Sequence, residues 1–257
     1  MPTRSAASPP LILLTRPPAE SAASARAMAK AGYAVLAMPL QYTRSAPATT
    51  ALAARVAGAR KATAHVLVSR AAVRAALRHW PGLATTSAPL IAVGRGTAAA
   101  LAAAGLKAEI ARGSEDSEGV LAAAALATPA GQRIAIWLAP GGRQHIVEEL
   151  ARRGAEPWPV PVYRRVRLPP RPAALVQLWE SAPRVVLSAT SGALLSRLDE
   201  ELAAAGLARL RSRPLLVVSA RVAEHARALG FSDIHVAGGA DAASLLRALA
   251  SIGVRPQ

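Results

Sequence analysis

The residues best suited to chemistry sit in short turns that follow apolar runs. Thr15-Arg16-Pro17-Pro18 comes directly after the run at residues 11–14. A hydroxyl, a guanidinium fork and the free N–H groups of a helix start together suit an anion. Proline at the first helical position is equally an ordinary way to begin a helix. Ser69 follows the run at residues 66–68, and Ser191 holds the same place after a second run. Serine is a favoured N-cap, and a cap and an anion site draw on the same N–H groups. Gly94 and Thr97 belong to Val93-Gly94-Arg95-Gly96-Thr97-Ala98, which lacks the third glycine of a dinucleotide fingerprint and the lysine of a P-loop. Gly141-Gly142-Arg143 places two glycines and an arginine at a helix start. That suits close approach to a carboxylate, or a plain turn. Tyr163 lies in Pro161-Val162-Tyr163-Arg164-Arg165-Val166. A phenol there can donate a proton to a leaving oxygen; a half-buried strand aromatic is the plainer alternative.

Other chemistries are excluded or unsupported. Cysteine is absent, which removes disulfides, thiolate catalysis and Cys-ligated metals. His65, His79, His145, His225 and His235 show neither metal-ligand nor relay spacing, so no metal is expected and they read as surface or structural residues. The acidic run Glu115-Asp116, with Glu118, reads as helix-start capping rather than a carboxylate pair. No apolar run approaches the roughly 18 residues of a membrane span. The run at residues 11–14 is too short for a signal-peptide core, so a cytoplasmic protein with no membrane partner is expected.

The net charge is +16, and 28 of the 31 basic residues are arginine. Alanine supplies about a quarter of the chain, so a compositional bias accounts for part of that charge. The remainder can steer an anion. Aromatic residues are only 3% and the arginines are scattered, whereas single-strand readers need stacking platforms. No nucleic-acid partner is therefore expected. A small-molecule anion bearing carboxylates fits guanidinium groups better.

The elements that must position these residues alternate. Strands are expected at residues 11–14, 34–38, 65–69, 90–93, 108–111, 134–138, 160–163, 185–188, 215–219 and 233–236. Helices are expected at 19–31, 71–80, 97–104, 117–127, 143–153, 193–205, 221–229 and 242–252. Such alternation points to parallel sheets covered by helices.

The pattern also repeats at an offset of about 122 residues. Residues 32–39 resemble 154–161, Ser69 resembles Ser191, and the segments from Gly105 and Gly119 resemble those from Gly230 and Ala243. Two similar α/β units follow. The best crossovers are repeat-equivalent, at residues 40–42 and 163–167. One domain would then combine residues 1–39 with 168–257, and residues 43–162 would be inserted between. The two crossing strands would form a hinge.

In combination these motifs resemble the uroporphyrinogen-III synthase family. The resemblance rests on Thr15-Arg16-Pro17, Ser69 with Ala72-Val73, Val93-Gly94 with Thr97-Ala98, Gly142-Arg143, Val162-Tyr163-Arg164, Thr190-Ser191-Gly192, and Val217-Val218-Ser219 leading to Ala228-Leu229-Gly230-Phe231. It runs from Leu11 to about Leu249, leaving residues 1–10 as a basic tail. It implies an α/β fold of two flavodoxin-like parallel-sheet domains joined by a two-stranded hinge. It further implies an enzyme, a lyase of heme biosynthesis that acts as a cytoplasmic monomer without a cofactor. Its substrate, hydroxymethylbilane, would lose its hydroxyl, invert its last pyrrole ring through a spiro intermediate and close with loss of water. Tyr163 matches the family tyrosine thought to assist departure of the hydroxyl. Thr15, Arg16, Ser69, Gly94, Thr97, Arg143 and Ser191 would hold substrate. Some relatives carry Thr-Ala where this chain has Arg221-Val222-Ala223, so the second sequence repeat lacks that threonine. A non-catalytic two-domain binding protein for a polycarboxylate small molecule would explain the charge, repeat and crossovers equally well; Tyr163 in the crossover favours the enzyme.

Overall fold

The computed structural model describes residues 10–110, 117–169, 171–181 and 184–253. The proposed tail lies outside these except for Pro10, and so do Glu115 and Asp116 of the acidic run. In chain order the elements begin with β1 (Leu11–Leu14), α1 (Pro18–Lys30), β2 (Ala34–Ala37) and β3 (Gln41–Ser45). Then come α2 (Thr50–Ala59), β4 (Ala64–Leu67), α3 (Arg70–His79), β5 (Leu90–Ala92), α4 (Arg95–Ala102), β6 (Glu109–Ile110) and α5 (Ser117–Leu121). After them are β7 (Arg133–Leu138), α6 (Gln144–Arg152), β8 (Glu156–Pro161) and β9 (Tyr163–Arg167). The chain ends with α7 (Pro172–Ser181), β10 (Val185–Ala189), α8 (Gly192–Ala204), β11 (Leu215–Val217), α9 (Ala220–Ala228), β12 (Ile234–Val236) and α10 (Ala242–Ser251).

These elements fall into two compact units. The first takes the described residues up to Tyr42 and from Val166 onward; the second runs from Thr43 to Arg165. Each is built on a five-stranded sheet whose pairings are parallel. The first sheet has the order β2-β1-β10-β11-β12, and the second β8-β7-β4-β5-β6. In the first unit that is a 2-1-3-4-5 order, the flavodoxin-like arrangement. The second is the same order once the repeat offset equates β7 and β8 with β1 and β2. Each sheet therefore takes two strands from one sequence repeat and three from the other. Strands β3 and β9 pair as a separate two-stranded ribbon.

Burial on both faces explains why the strands read as continuous apolar runs. On β1, Leu13 packs into one cluster with Leu187, Leu198 and Leu215. Ile12 and Leu14 enter another with Met28, Leu245 and Leu249. In the second unit one core gathers Val66, Ile91, Ile134, Ile136 and Leu150. Each such side chain contributes about 1.5–3 kcal/mol by leaving water.

Three elements depart from the expected pattern, two of them for identifiable reasons. Helix α2 was not among the expected helices. Thr49 caps it by accepting from Leu52 N–H, and Leu52, Val56 and Ala59 turn inward. Gly58 lets the Trp158 ring lie against it: an added Cβ would come within 2.3 Å of that ring. The alanine-rich stretch 117–127 is not one helix. Helix α5 stops at Leu121, and a 3-10 turn spans Ala124–Leu126. The Glu109 carboxylate accepts from Ala124 N–H at 2.7 Å and Ala125 N–H at 3.3 Å, so a tertiary contact caps a new turn there. Helix α7 was likewise unforeseen.

Candidate functional site

In open parallel sheets the loops beyond the carboxyl ends of the strands face the ligand, above all where strand order reverses. In the second unit that edge is formed by β5, β4, β7 and β8 in succession. Gly94 and Thr97 follow β5, Ser69 follows β4, Arg143 follows β7, and Tyr163 follows β8. Sheet order thus brings five of the eight predicted site residues to one edge.

Ser69 is the N-cap of α3, with extended backbone at φ −168°, and its Oγ accepts from Ala72 N–H at 3.1 Å. The same Oγ donates to Tyr163 Oη at 3.0 Å, across 94 residues of sequence. Tyr163 is only 2% exposed and its ring is part of the second unit's core. The ring is therefore fixed, and its hydroxyl meets a helix N-terminus. With Ser69 donating to the phenol oxygen, the phenol's own proton points elsewhere.

Gly94 caps α4 in extended backbone without a side-chain bond, and its carbonyl accepts from Thr97 N–H and Ala98 N–H. Thr97 is buried. Gly96 lies close to α3, since a Cβ there would sit 4.0 Å from Arg70 Cδ. Arg143 is, among the described residues, the one non-glycine with positive φ, at 53°. It caps α6 in the left-handed region, which costs a non-glycine residue about 1 kcal/mol or more. Gly142 before it admits no side chain freely, because a Cβ would stand 3.0 Å from the Ala139 carbonyl oxygen.

The first unit's candidates look different. Thr15 is fully buried, and its Oγ1 donates to the Ser188 carbonyl at 2.7 Å. Ser188 Oγ in turn donates to the Leu13 carbonyl at 2.6 Å. Arg16 is 4% exposed. Its NH1 donates to the Ala240 carbonyl at 2.5 Å and to Ser24 Oγ at 3.4 Å, and NH2 pairs with Glu20 at 3.3 Å. The fork expected to meet a carboxylate of the substrate is turned inward and ties the β1–α1 turn to the loop before α10. Ser191 caps α8 by accepting from Leu194 N–H at 3.2 Å. Both units thus use the same cap, but only one engages a tyrosine.

Of the histidines, His65 and His235 are informative. His65 is fully buried beside the stacked Trp80 and Trp137, and its Nδ1 accepts from Trp137 Nε1 at 3.3 Å. Nε2 has no hydrogen-bond partner, and burial lowers its pKa to about 4. His235 pairs with Asp233 at 2.6 Å. Among the described residues, no group of three or more His, Asp or Glu is placed to hold a metal. No helix among them is long and apolar enough to cross a membrane. The Ser69–Tyr163 bond was not legible in the sequence. Only the order of strands shows that a cap after β4 and a tyrosine after β8 converge.

Known proteins resemble this chain in sequence and in fold. The family model for uroporphyrinogen-III synthase HemD matches residues 22–247. The uroporphyrinogen-III synthase of Salmonella typhimurium is 37% identical over 177 residues, covering 67% of this chain and 69% of that protein. That of Escherichia coli is 36% identical over the same length and with the same coverage. A mutant uroporphyrinogen III synthase from the extremely thermophilic bacterium Thermus thermophilus superposes with a TM-score of 0.62 at 20% identity, covering 94% of this chain and 99% of that one. The uroporphyrinogen-III synthetase of Helicobacter pylori gives a TM-score of 0.58 at 14% identity, covering 95% and 99%. These two structures agree with the fold of paired parallel sheets, and the sequence matches carry the family. The chain belongs to the uroporphyrinogen-III synthase family.

Proposed function

We propose that the protein converts hydroxymethylbilane to uroporphyrinogen III, with Tyr163 as the catalytic acid. The observation that carries this reading is the Ser69–Tyr163 hydroxyl pair at the N-terminus of α3. In the first step the C–O bond of the bilane's hydroxymethyl group breaks. Its electron pair leaves with the oxygen, and the phenol proton passes to that oxygen to release water. Hydroxide is a poor leaving group, and a positioned acid supplies about 10²–10⁴-fold. Ser69 holds the phenol oxygen and stabilises the phenolate that forms. The cation on the bilane is attacked by the last pyrrole ring at its substituted carbon, giving the spiro intermediate. The older bond from the spiro carbon to the methylene bridge of the neighbouring ring then breaks, leaving a second cation on that bridge. The free α-carbon of the last ring attacks it, which inverts the ring, and the proton lost from that carbon on rearomatisation restores the phenol. The net change is loss of water with no change of oxidation state, so the reaction calls for no cofactor.

Within the second unit, helix N-termini at Ser69, Gly94 and Arg143 supply N–H groups for acetate and propionate carboxylates of the substrate. Thr97 stands in the first turn of α4. Thr15 and Arg16 act by holding the β1–α1 turn in place. This reading takes the enzyme as a cytoplasmic monomer whose partner is the anionic bilane. Fresh hydroxymethylbilane incubated with the pure protein and chelator should yield isomer III. Isomer I alone, the uncatalysed product, would refute the assignment.

A further inference from the structure

The ribbon that carries Tyr163 carries more than a tyrosine. Ala46 N–H donates to the Val162 carbonyl at 2.8 Å at one end, and Leu168 N–H to the Leu40 carbonyl at 3.0 Å at the other. The two strands therefore run antiparallel, with Ser45 opposite Tyr163, Arg44 opposite Arg164 and Thr43 opposite Arg165. Side chains alternate between faces along a strand. Tyr163 and Arg165 share one face, about 7 Å apart along β9, with Ser45 and Thr43 across from them. Arg44 and Arg164 share the other. All of these residues belong to the second unit.

The face that leads away from Tyr163 is thus made of hydroxyls and a guanidinium, all able to donate. Arg164 and Arg165 are neighbours in sequence, both exposed. Among the described residues neither has an acidic partner, whereas Arg167 on the same strand is paired with Glu200 at 3.1 Å. Two adjacent, unpaired arginines differ in the face they occupy. Only one of them shares the face on which the phenol meets Ser69.

We propose that Arg165 binds a carboxylate of the tetrapyrrole substrate, with Thr43 across the ribbon as a second donor, and so places the hydroxymethyl carbon against Tyr163. This deepens the synthase reading and rests on it for the identity of the substrate. A guanidinium fork binds a carboxylate with two parallel bonds, which fixes direction as well as distance. A lysine at the same point supplies charge without that geometry.

Two readouts test the proposal, each comparing Arg165→Ala with Arg164→Ala. The first is steady-state kinetics on hydroxymethylbilane. Arg165→Ala should raise KM about tenfold, the usual effect of losing one charge-assisted bond, with kcat within about threefold. Arg164→Ala should leave KM within about twofold, and Arg165→Lys should recover only part of the loss. The second is direct binding of uroporphyrin III, a polycarboxylate tetrapyrrole, followed by its fluorescence quenching. The same ranking should appear in Kd, and this titration needs no turnover. A wild-type protein that makes no isomer III yet binds uroporphyrin with this ranking would sink the synthase reading and keep the carboxylate site. Equal effects of the two alanine variants, whether both nil or both large, would overturn the proposal, because net charge rather than ribbon face would then be what matters.

Discussion

Ser69 and Ser191 are the same residue in two repeats, and the contrast between them separates scaffold from chemistry. Both follow a buried parallel strand and both hold extended backbone, at φ −168° and −164°. Both accept from the N–H three residues on, at 3.1 and 3.2 Å. As caps they are interchangeable. The difference lies in the ribbon strand: the repeat offset that equates them also sets Tyr163 against Gln41. One cap thereby gains a phenol and the other does not. The repeat supplies two equivalent helix starts, and a single side chain on β9 gives one of them a phenol as a partner.

The turns after β1 and β7 differ in the same sense. Thr15 and Arg16 spend their donors on Ser188, Ala240, Ser24 and Glu20. Gly141-Gly142-Arg143 instead puts a non-glycine residue into left-handed backbone. The first turn is closed by its own bonds, and the second stores strain at a helix N-terminus.

The largest effect expected from this comparison is at Tyr163. Tyr163→Phe removes only the hydroxyl, so packing should persist. The value of kcat should fall by about 10²–10⁴-fold, with KM within about fivefold. A full kcat would move proton donation to another group. The second unit also carries a buried histidine that the first lacks. Folding keeps His65 neutral down to about pH 4, while the unfolded chain takes up its proton near pH 6.5. The unfolded state therefore binds more protons in that window, and stability should fall as pH drops from about 6.5 to 4, by up to about 3 kcal/mol. Chemical denaturation across that range should show the slope. His65→Leu should flatten it, even though the Trp137 N–H loses its partner. An unchanged slope would assign the acid sensitivity elsewhere.

Arg16→Ala tests the opposite role in the first unit. Its buried bond to the Ala240 carbonyl makes it a holding group, so the loss should appear as about 1.5–3 kcal/mol of stability. A large rise in KM with an unchanged denaturation midpoint would restore it as a direct carboxylate ligand.

Much of the fold was readable because parallel strands buried on both faces leave apolar runs, and the glycines that end helices punctuate them. Segment 185–189 and its repeat partner at 64–67 are of this kind. Helix α2 was missed although Thr49 before Leu52 and Val56 is a cap followed by an i, i+4 pair; the alanines around it dilute the periodicity. The break after Leu121 could not be read locally, because the Glu109 carboxylate that caps the following turn comes from β6. The site followed the same division. Caps such as Ser69 and Ser191 are local and visible. The inward turn of Arg16 and the meeting of Ser69 with Tyr163 depend on strand order, which no window of sequence contains.

The most direct test of this account is a double-mutant cycle on kcat with Ser69→Ala, Tyr163→Phe and the double variant, with Ser191→Ala beside them. Both serine variants should lose about 1 kcal/mol of stability as caps. Ser69→Ala alone should also slow turnover by about tenfold, through the bond it makes to the phenol. In the Tyr163→Phe background that further loss should vanish, since the serine acts through the hydroxyl already removed. An equal loss from Ser69→Ala in both backgrounds would contradict the account, because the serine would then act on the reaction without the tyrosine.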